Sequence, residues 1–334
     1  MNKLRTKGAA WAIGTAAAIL ILSVLALMLG RYQLSFSQVM QTLLHPGADH
    51  GMAGNVVFNI RLPRILISLL AGAGLATAGA AFQAVFSNPL AAPDTLGVAT
   101  GASFGAVLGI LFGLPSLAIQ TSALVFGLAA VGLVYLVGHS RGGASPVMLI
   151  LSGIVISSLF SALVSLVKYS ADPQDVLPAI TFWLMGSLSS VTRETLYTGA
   201  PFLLTGILLI FLLRWKLNAL SLPQEEAQSL GVPVVRIRTA VILAAAMITA
   251  AAVSMCGLIG WVGLLVPHIA RMIFGSNNQR VVPASIGFGA VFLLVIDTAA
   301  RCVSAAEIPV SILTAIIGAP FFILLLRRTG GFRL

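Results

Sequence analysis

The amino-acid sequence predicts an all-α integral membrane protein with ten transmembrane helices, and three observations carry that reading. Of its 334 residues, 58% are hydrophobic and 8% charged, with a mean hydropathy of +1.04, whereas soluble domains carry about 25% charge. Nine acids and nineteen bases cannot cover the surface of a soluble chain of this length. A soluble globular enzyme is excluded, and lipid is the main solvent. The apolar residues also gather into runs of the length that a hydrocarbon core about 30 Å thick demands, roughly 20 residues with about 17 tolerated. Finally, the bases sit singly or in pairs between these runs, as topology signals do, and do not form a stripe with interleaved aromatics. The net charge of +10 therefore does not mark a nucleic-acid binder.

The first run, Trp11–Leu29, follows Lys3, Arg5 and Lys7. It is too long for a cleaved leader and lacks a clear small-residue cleavage site after it, so it reads as a retained span. The second, Ile65–Phe86, carries Gly72, Gly74 and Gly79, and the third, Leu96–Phe112, carries Gly97, Gly101, Gly105 and Gly109. Small residues at such spacing let helices approach closely in lipid, where no hydrophobic force drives association. Leu117–Val137, Val147–Val167 and Tyr197–Leu213 follow. The seventh and eighth runs, Arg238–Met255 and Leu258–Ile273, are parted only by Cys256 and Gly257, yet together exceed a single crossing. Val282–Ala300 and Ile308–Leu326 complete the ten.

Orientation follows from the Lys/Arg bias of short loops. With both termini cytoplasmic, Lys3, Arg5, Lys7, Arg141, Arg214, Lys216, Arg236, Arg238, Arg271, Arg280, Arg327, Arg328 and Arg333 fall inside. Arg31, Arg61, Arg64, Lys168, Arg193 and Arg301 fall outside. The chain thus reads as one transmembrane domain over 1–334, with an outer segment 30–64 and an inner segment 214–238. In the inner segment Pro223 suits a first helical turn, Glu225 and Glu226 follow it, and Gly231 suits a C-terminal cap. A third piece, Ser170–Glu194, contains Phe182-Trp183-Leu184-Met185, too short to span and suited to a re-entrant or interfacial helix on the outer side.

No Gly-Lys dipeptide occurs, so a Walker A phosphate loop is excluded and the chain hydrolyses no ATP itself. His45, His50, His139 and His268 show no metal spacing, and no metal or other cofactor is expected on this chain. Two cysteines, Cys256 and Cys302, offer neither a disulfide framework nor a thiolate cluster. Nothing in the sequence brings them adjacent. The acids lie at or near span ends, except Asp297, which sits four residues before Arg301 and favours an ion pair on one helix face. That distribution argues against an ion-gradient pump, which places acids at mid-membrane depth.

Arg61-Leu62-Pro63-Arg64, Asn88-Pro89-Leu90-Ala91 and Leu96-Gly97 resemble the permeases of ABC importers for iron-siderophores, haem and cobalamin, the FecCD-type family. The likeness continues through Leu220–Val232 and the Gly257–Leu264 stretch with Pro267-His268-Ile269-Ala270-Arg271. It ends with Glu307-Ile308-Pro309-Val310, Thr314-Ala315 and Gly318-Ala319-Pro320. Relatives typically carry Leu-Gly-Glu-Glu where this chain has Leu222-Pro223-Gln224-Glu225, a glycine at Ser311, and phenylalanine at Trp261.

The resemblance implies a ten-helix subunit of type II importer architecture that pairs with a second permease, identical or paralogous. Two cytoplasmic ATPases would hold ATP and Mg, and an extracytoplasmic binding protein would deliver the chelate. It assigns Arg61, Arg64 and Arg301 to docking of that protein, whose carboxylates suit guanidinium forks; snorkelling or the Asp297 pair is the structural counterpart. It assigns Leu222, Pro223, Gln224, Glu225, Glu226, Ser229, Leu230 and Gly231 to ATPase coupling. The pathway would be lined by the fifth and tenth spans, with Ser157, Ser161 and Ser165, then Ser311 and Thr314. These hydroxyls equally suit bonds to helix carbonyls. His268 and Arg271 read as a helix terminus complemented by cations. The alternative function is a secondary transporter driven by an ion gradient without an ATPase.

Overall fold

A computed structural model describes residues 2–138, 145–222, 224–229, 231–304 and 306–328. Every regular element among these residues is helical. In chain order they are α1 (Asn2–Met28), α2 (Phe36–Leu44), α3 (Gly51–Asn55), α4 (Leu62–Val85), α5 (Val98–Leu111), α6 (Ser116–Gly138), α7 (Pro146–Ser170) and α8 (Val176–Leu184). Then come α9 (Arg193–Leu213), α10 (Leu217–Leu220), α11 (Gln224–Ser229), α12 (Val234–Cys256), α13 (Val262–Phe274), α14 (Asn278–Val303) and α15 (Val310–Arg328). Among the described residues, seven stretches are long and apolar enough to cross a membrane, and three shorter apolar ones, α5, α13 and Val310–Leu324 within α15, add to them. These ten coincide with the ten runs expected from the sequence.

Two helices form the centre. In the most apolar 18-residue window of the continuous rod Gly51–Val85, 83% of the residues are buried, and in that of α12, 78%, whereas the share in the Trp11–Met28 window of α1 is 11%, which places this helix at the periphery. The core of α4 and α12 is built almost wholly of Ala, Gly and small aliphatics, and close approach replaces the absent hydrophobic drive. At the α4–α14 crossing, a Cβ on Gly72 would sit 2.2 Å from the Gly289 carbonyl oxygen, and one on Gly289 equally close to that of Gly72. At the α4–α13 crossing, a Cβ on Gly79 would sit 1.8 Å from the carbonyl oxygen of Gly263.

Several ends differ from the sequence reading. The second span begins before Ile65, because a π-helical turn over Val56–Arg61 joins α3 to α4 without a break. Leu62 N–H donates to the Val57 carbonyl, and Pro63, which has no N–H to donate, follows at the switch back to α geometry. The eighth span starts at Val262, not Leu258, since Gly257 and Trp261 both adopt positive φ (69° each) and break the chain's path. α12 begins at Val234, inside the segment 214–238 assigned to the loop.

The α4–α5 connection is itself organised. Leu90 N–H donates to Asn88 Oδ1 (2.9 Å), Ala92 N–H to Thr95 Oγ1 (3.3 Å), and that hydroxyl donates to the Ala92 carbonyl (2.6 Å). With Pro89 and Pro93 contributing no N–H, the segment satisfies much of its own backbone, the requirement for irregular chain inside a bilayer. A short helix does form in Ser170–Glu194, as α8, and Ile180 packs with Val107, Val167 and Ala171.

Candidate functional site

Arg61, Arg64 and Arg301 come together at one end of the bundle, but they are buried, at 4%, 6% and 6% exposure. The sequence placed them on a face open to a partner; the structure turns their guanidiniums inward. Arg64 Nε donates to both Asp297 carboxylate oxygens at 3.0 Å, Nη2 to Oδ1 at 2.8 Å, and Nη1 to Glu307 Oε2 at 3.0 Å. The expected Asp297–Arg301 pair on one helix is absent among the described residues. The glycine crossing brings α4 so near α14 that Arg64 occupies the carboxylate first. Arg301 instead donates to the Ala26 carbonyl, and Arg61 to those of Leu27, Met28 and Tyr32. Those carbonyls include the orphan acceptors at the C-terminal end of α1, where a cation also complements the helix dipole. Gly30 makes room, since a Cβ there would lie 2.8 Å from Arg61 Nη2.

Arg61→Leu is expected to release the C-terminal end of α1 while the rest of the bundle persists. Hydrogen exchange in detergent or nanodiscs should show faster exchange at the amides of residues 22–29, with α4 and α12 unchanged.

The exposed polar residues of this end are others. Arg193, at the start of α9, donates from Nε and Nη2 to the Phe58 carbonyl at 3.3 and 3.1 Å. It borders an open cavity of about 430 Å³ together with Asp49, His50 and Asn59. The sequence counted Arg193 only as an outer base, because nothing local shows that α9 starts beside the π turn.

At the opposite end, α10 is pinned to the start of α14. Asn218 Nδ2 donates to Asn277 Oδ1 (3.0 Å), and Asn278 N–H to Asn218 Oδ1 (2.8 Å). α11 follows, with Ala227 fully buried as its anchor. Leu222, Glu225, Glu226, Ser229 and Gly231 are exposed. Gly231, at φ 74°, closes the helix as the sequence suggested, its N–H bonding the Gln228 carbonyl at 2.9 Å. Pro223 and Leu230 lie outside the described residues, and of Gln224 only the backbone is described.

Ser157 is half-buried, and Ser161 and Ser165 are exposed on α7. Ser158 and Ser165 donate to the Ile154 and Ser161 carbonyls of their own helix, and buried Thr314 to the Ser311 carbonyl at 3.0 Å. Ser311 reaches further, to the Met185 carbonyl. It belongs to a junction the sequence did not show. Ser187 N–H donates to the Cys256 carbonyl (2.8 Å) and Val310 N–H to that of Gly186 (3.0 Å), joining the end of α8, the α12–α13 connection and the start of α15. His268 meets Phe322 edge-on, centroids 6.4 Å apart, and Arg271 donates to Gln83 Oε1. Both serve packing here. Cys256 is buried, Cys302 is exposed, and they are not paired. No group of three His, Cys, Asp or Glu among the described residues is placed to hold a metal ion.

Known proteins match this chain along nearly its whole length. It is 44% identical over 308 residues to the molybdate import system permease protein of Haemophilus influenzae, covering 91% of each chain. It is 38% identical over 314 residues to the Fe(3+)-citrate import system permease protein of Bacillus subtilis, covering 92% of each. A solved inward-facing structure of an ABC transporter described as of metal-chelate type superposes with a TM-score of 0.84 at 41% identity, covering 94% of this chain and 97% of that one. The model of the FecCD transport family matches residues 18–328, and the chain belongs to that family of multi-pass ABC importer permeases.

Proposed function

We propose that the chain is the membrane-spanning subunit of an ATP-driven importer for metal chelates of the iron-siderophore, haem or cobalamin kind, working by alternating access across the cytoplasmic membrane. The near-complete match to import permeases carries this reading. Both termini are cytoplasmic, in line with the thirteen bases against six. The α10–α11 surface is the coupling element: Glu225, Glu226 and Leu222 project while Ala227 and Asn218 fix the base, the arrangement by which a short helix enters a partner groove. Two ATPases holding ATP and Mg dock there. A second permease covers the face of α7, where Leu151, Ile154, Val155, Leu159 and Leu166 are exposed. The pathway runs along that face past Ser157, Ser161 and Ser165, and past Ser311 and Thr314. The binding protein docks at the end shaped by Arg61, Arg64 and Arg301, where Arg31 and Arg193 are exposed residues.

A second cargo, molybdate, is favoured by one observation, the 44% identity to a molybdate permease. The test is ATPase activity in nanodiscs with the partner ATPase and binding proteins loaded with ferric citrate, a ferric siderophore, haem, cobalamin or molybdate. Stimulation by a chelate supports the first reading, and stimulation by molybdate alone replaces it with the second. Glu225→Arg with Glu226→Arg is expected to lower ATPase co-purification at least tenfold without changing the yield of the permease. Undiminished co-purification removes α11 from the coupling surface, and uptake that persists without any ATPase removes the importer reading itself.

A further inference from the structure

The α4–α5 connection does not stay at the surface where α4 ends. Its turn, a short 3₁₀ helix over Pro93–Leu96, climbs back into the bundle, and glycine contacts record how far. A Cβ on Gly263 would lie 2.9 Å from Pro93 Cδ and 3.0 Å from the Leu75 carbonyl oxygen. A Cβ on Gly153 would lie 2.2 Å from the Thr95 carbonyl oxygen, and one on Gly97 3.0 Å from Ser157 Oγ. Leu75 is near the middle of α4, and Gly153 and Ser157 lie in the middle part of α7. The turn therefore sits at mid-membrane depth.

A second irregular stretch meets it there. Gly257–Trp261 runs between the end of α12 and the start of α13. Between the two lies a cavity of about 240 Å³ lined by Leu75, Pro93, Asp94, Ile259, Gly260 and Trp261, among others. Asp94 lines this space, is accessible in the single chain, and belongs to neither of the ion pairs found among the described residues. Non-helical backbone at membrane depth is tolerated only where protein buries it or where it lines a water-filled cavity, and an ionisable side chain there faces the bundle interior or water. Two such segments and an unpaired acid converge on one space.

We infer that this cavity is a water-filled part of the translocation pathway, with Asp94 its polar contact for cargo. The carboxylate accepts hydrogen bonds from the hydration shell or the donor groups of a passing chelate. The inference deepens the importer reading and rests on it for the word cargo. It also extends the pathway from the serine face of α7, through Ser157, to residues the family likeness did not assign.

The test reads water at this position directly. In membrane vesicles holding the permease with its partner ATPase, and in a Cys302→Ser background where buried Cys256 is the only other thiol of the permease, Asp94→Cys is exposed to a charged, water-soluble methanethiosulfonate, and labelling is read on the permease band. Leu20→Cys on peripheral α1, where Leu20 is 67% exposed, serves as the lipid-facing control. Asp94→Cys is expected to react at least tenfold faster than this control. Gly260→Cys provides a second probe from the opposite wall, since a Cβ there meets nothing within 4 Å, and the same excess is expected. Reaction of both no faster than the control overturns the inference. Because labelling needs no cargo, a slow rate leaves the importer reading intact, and failure of every cargo to stimulate ATPase leaves the labelling result intact.

Discussion

Arg64→Met is expected to abolish recovery of folded, monodisperse permease, the largest effect of any single substitution at the arginine cluster. The change leaves Asp297, fully buried, without the fork that occupies both its oxygens. Breaking a buried pair by removing one partner costs about 3–5 kcal/mol, because the remaining charge is uncompensated, a large share of a total stability of order 5–15 kcal/mol. Asp297→Asn should be milder, since an amide still accepts from the guanidinium. The double change Arg64→Met with Asp297→Leu should recover much of the loss, since buried ion pairs replaced by apolar groups are often neutral or better. Size-exclusion profiles and thermal unfolding in detergent separate these cases. Equal damage by the single and the double variant would refute the assignment of the loss to a stranded charge.

Gly79→Val should be comparably severe for a different reason. The added Cβ would fall 1.8 Å from the Gly263 carbonyl oxygen, with the α carbon and carbonyl carbon of Gly263 also within 2.7 Å. The obstacle is backbone, so no rotamer change relieves it, and α13 must move away from α4. Overpacking against side chains costs about 1–3 kcal/mol, and displacement of a whole helix belongs at or above the top of that range. Gly132→Ala on the exposed face of α6, where a Cβ meets nothing within 4 Å, is the matching control. It should be neutral or raise the melting temperature, as helix propensity favours Ala by up to about 1 kcal/mol.

The spans were legible because lipid imposes one ruler on most of them, whereas α5 and α13 fall short of it as helices and were found because flanking apolar residues lengthen their runs. What periodicity did not reveal is where backbone leaves the helix inside the bilayer. The break at Gly257–Trp261 was visible as two residues between runs, but the positive φ of Trp261 has no sequence signature. The three arginines were assigned to an outer docking face, whereas their guanidiniums turn inward, and their partners were not foreseen, because the choice of Arg64 over Arg301 for Asp297 depends on the Gly72–Gly289 approach. The junction at Gly186 was unreadable for the same reason: its glycine matters through a Leu258 carbonyl 2.1 Å from the place of its absent Cβ, in a segment far along the chain. Asp94 lies two residues before the Leu96-Gly97 motif and reads as a span-end acid until the return of the connection is seen.

The long-range bonds of the arginine cluster have a consequence for how the protein is made. Arg64 is separated from Asp297 by 233 residues and Arg301 from Ala26 by 275. At synthesis rates of about 5–20 residues per second, Arg64 waits roughly 12–47 s after its own translation before its partner exists. During that interval the second span already sits in or beside the insertion machinery with its guanidinium unmatched, and the end of α1 has no donor from α14. Membrane integration of the early helices therefore precedes their docking, and α14 with the connection that follows it locks α1 and α4. A nascent chain halted before Asp297 is complete in its first spans and still lacks the bonds that fasten them.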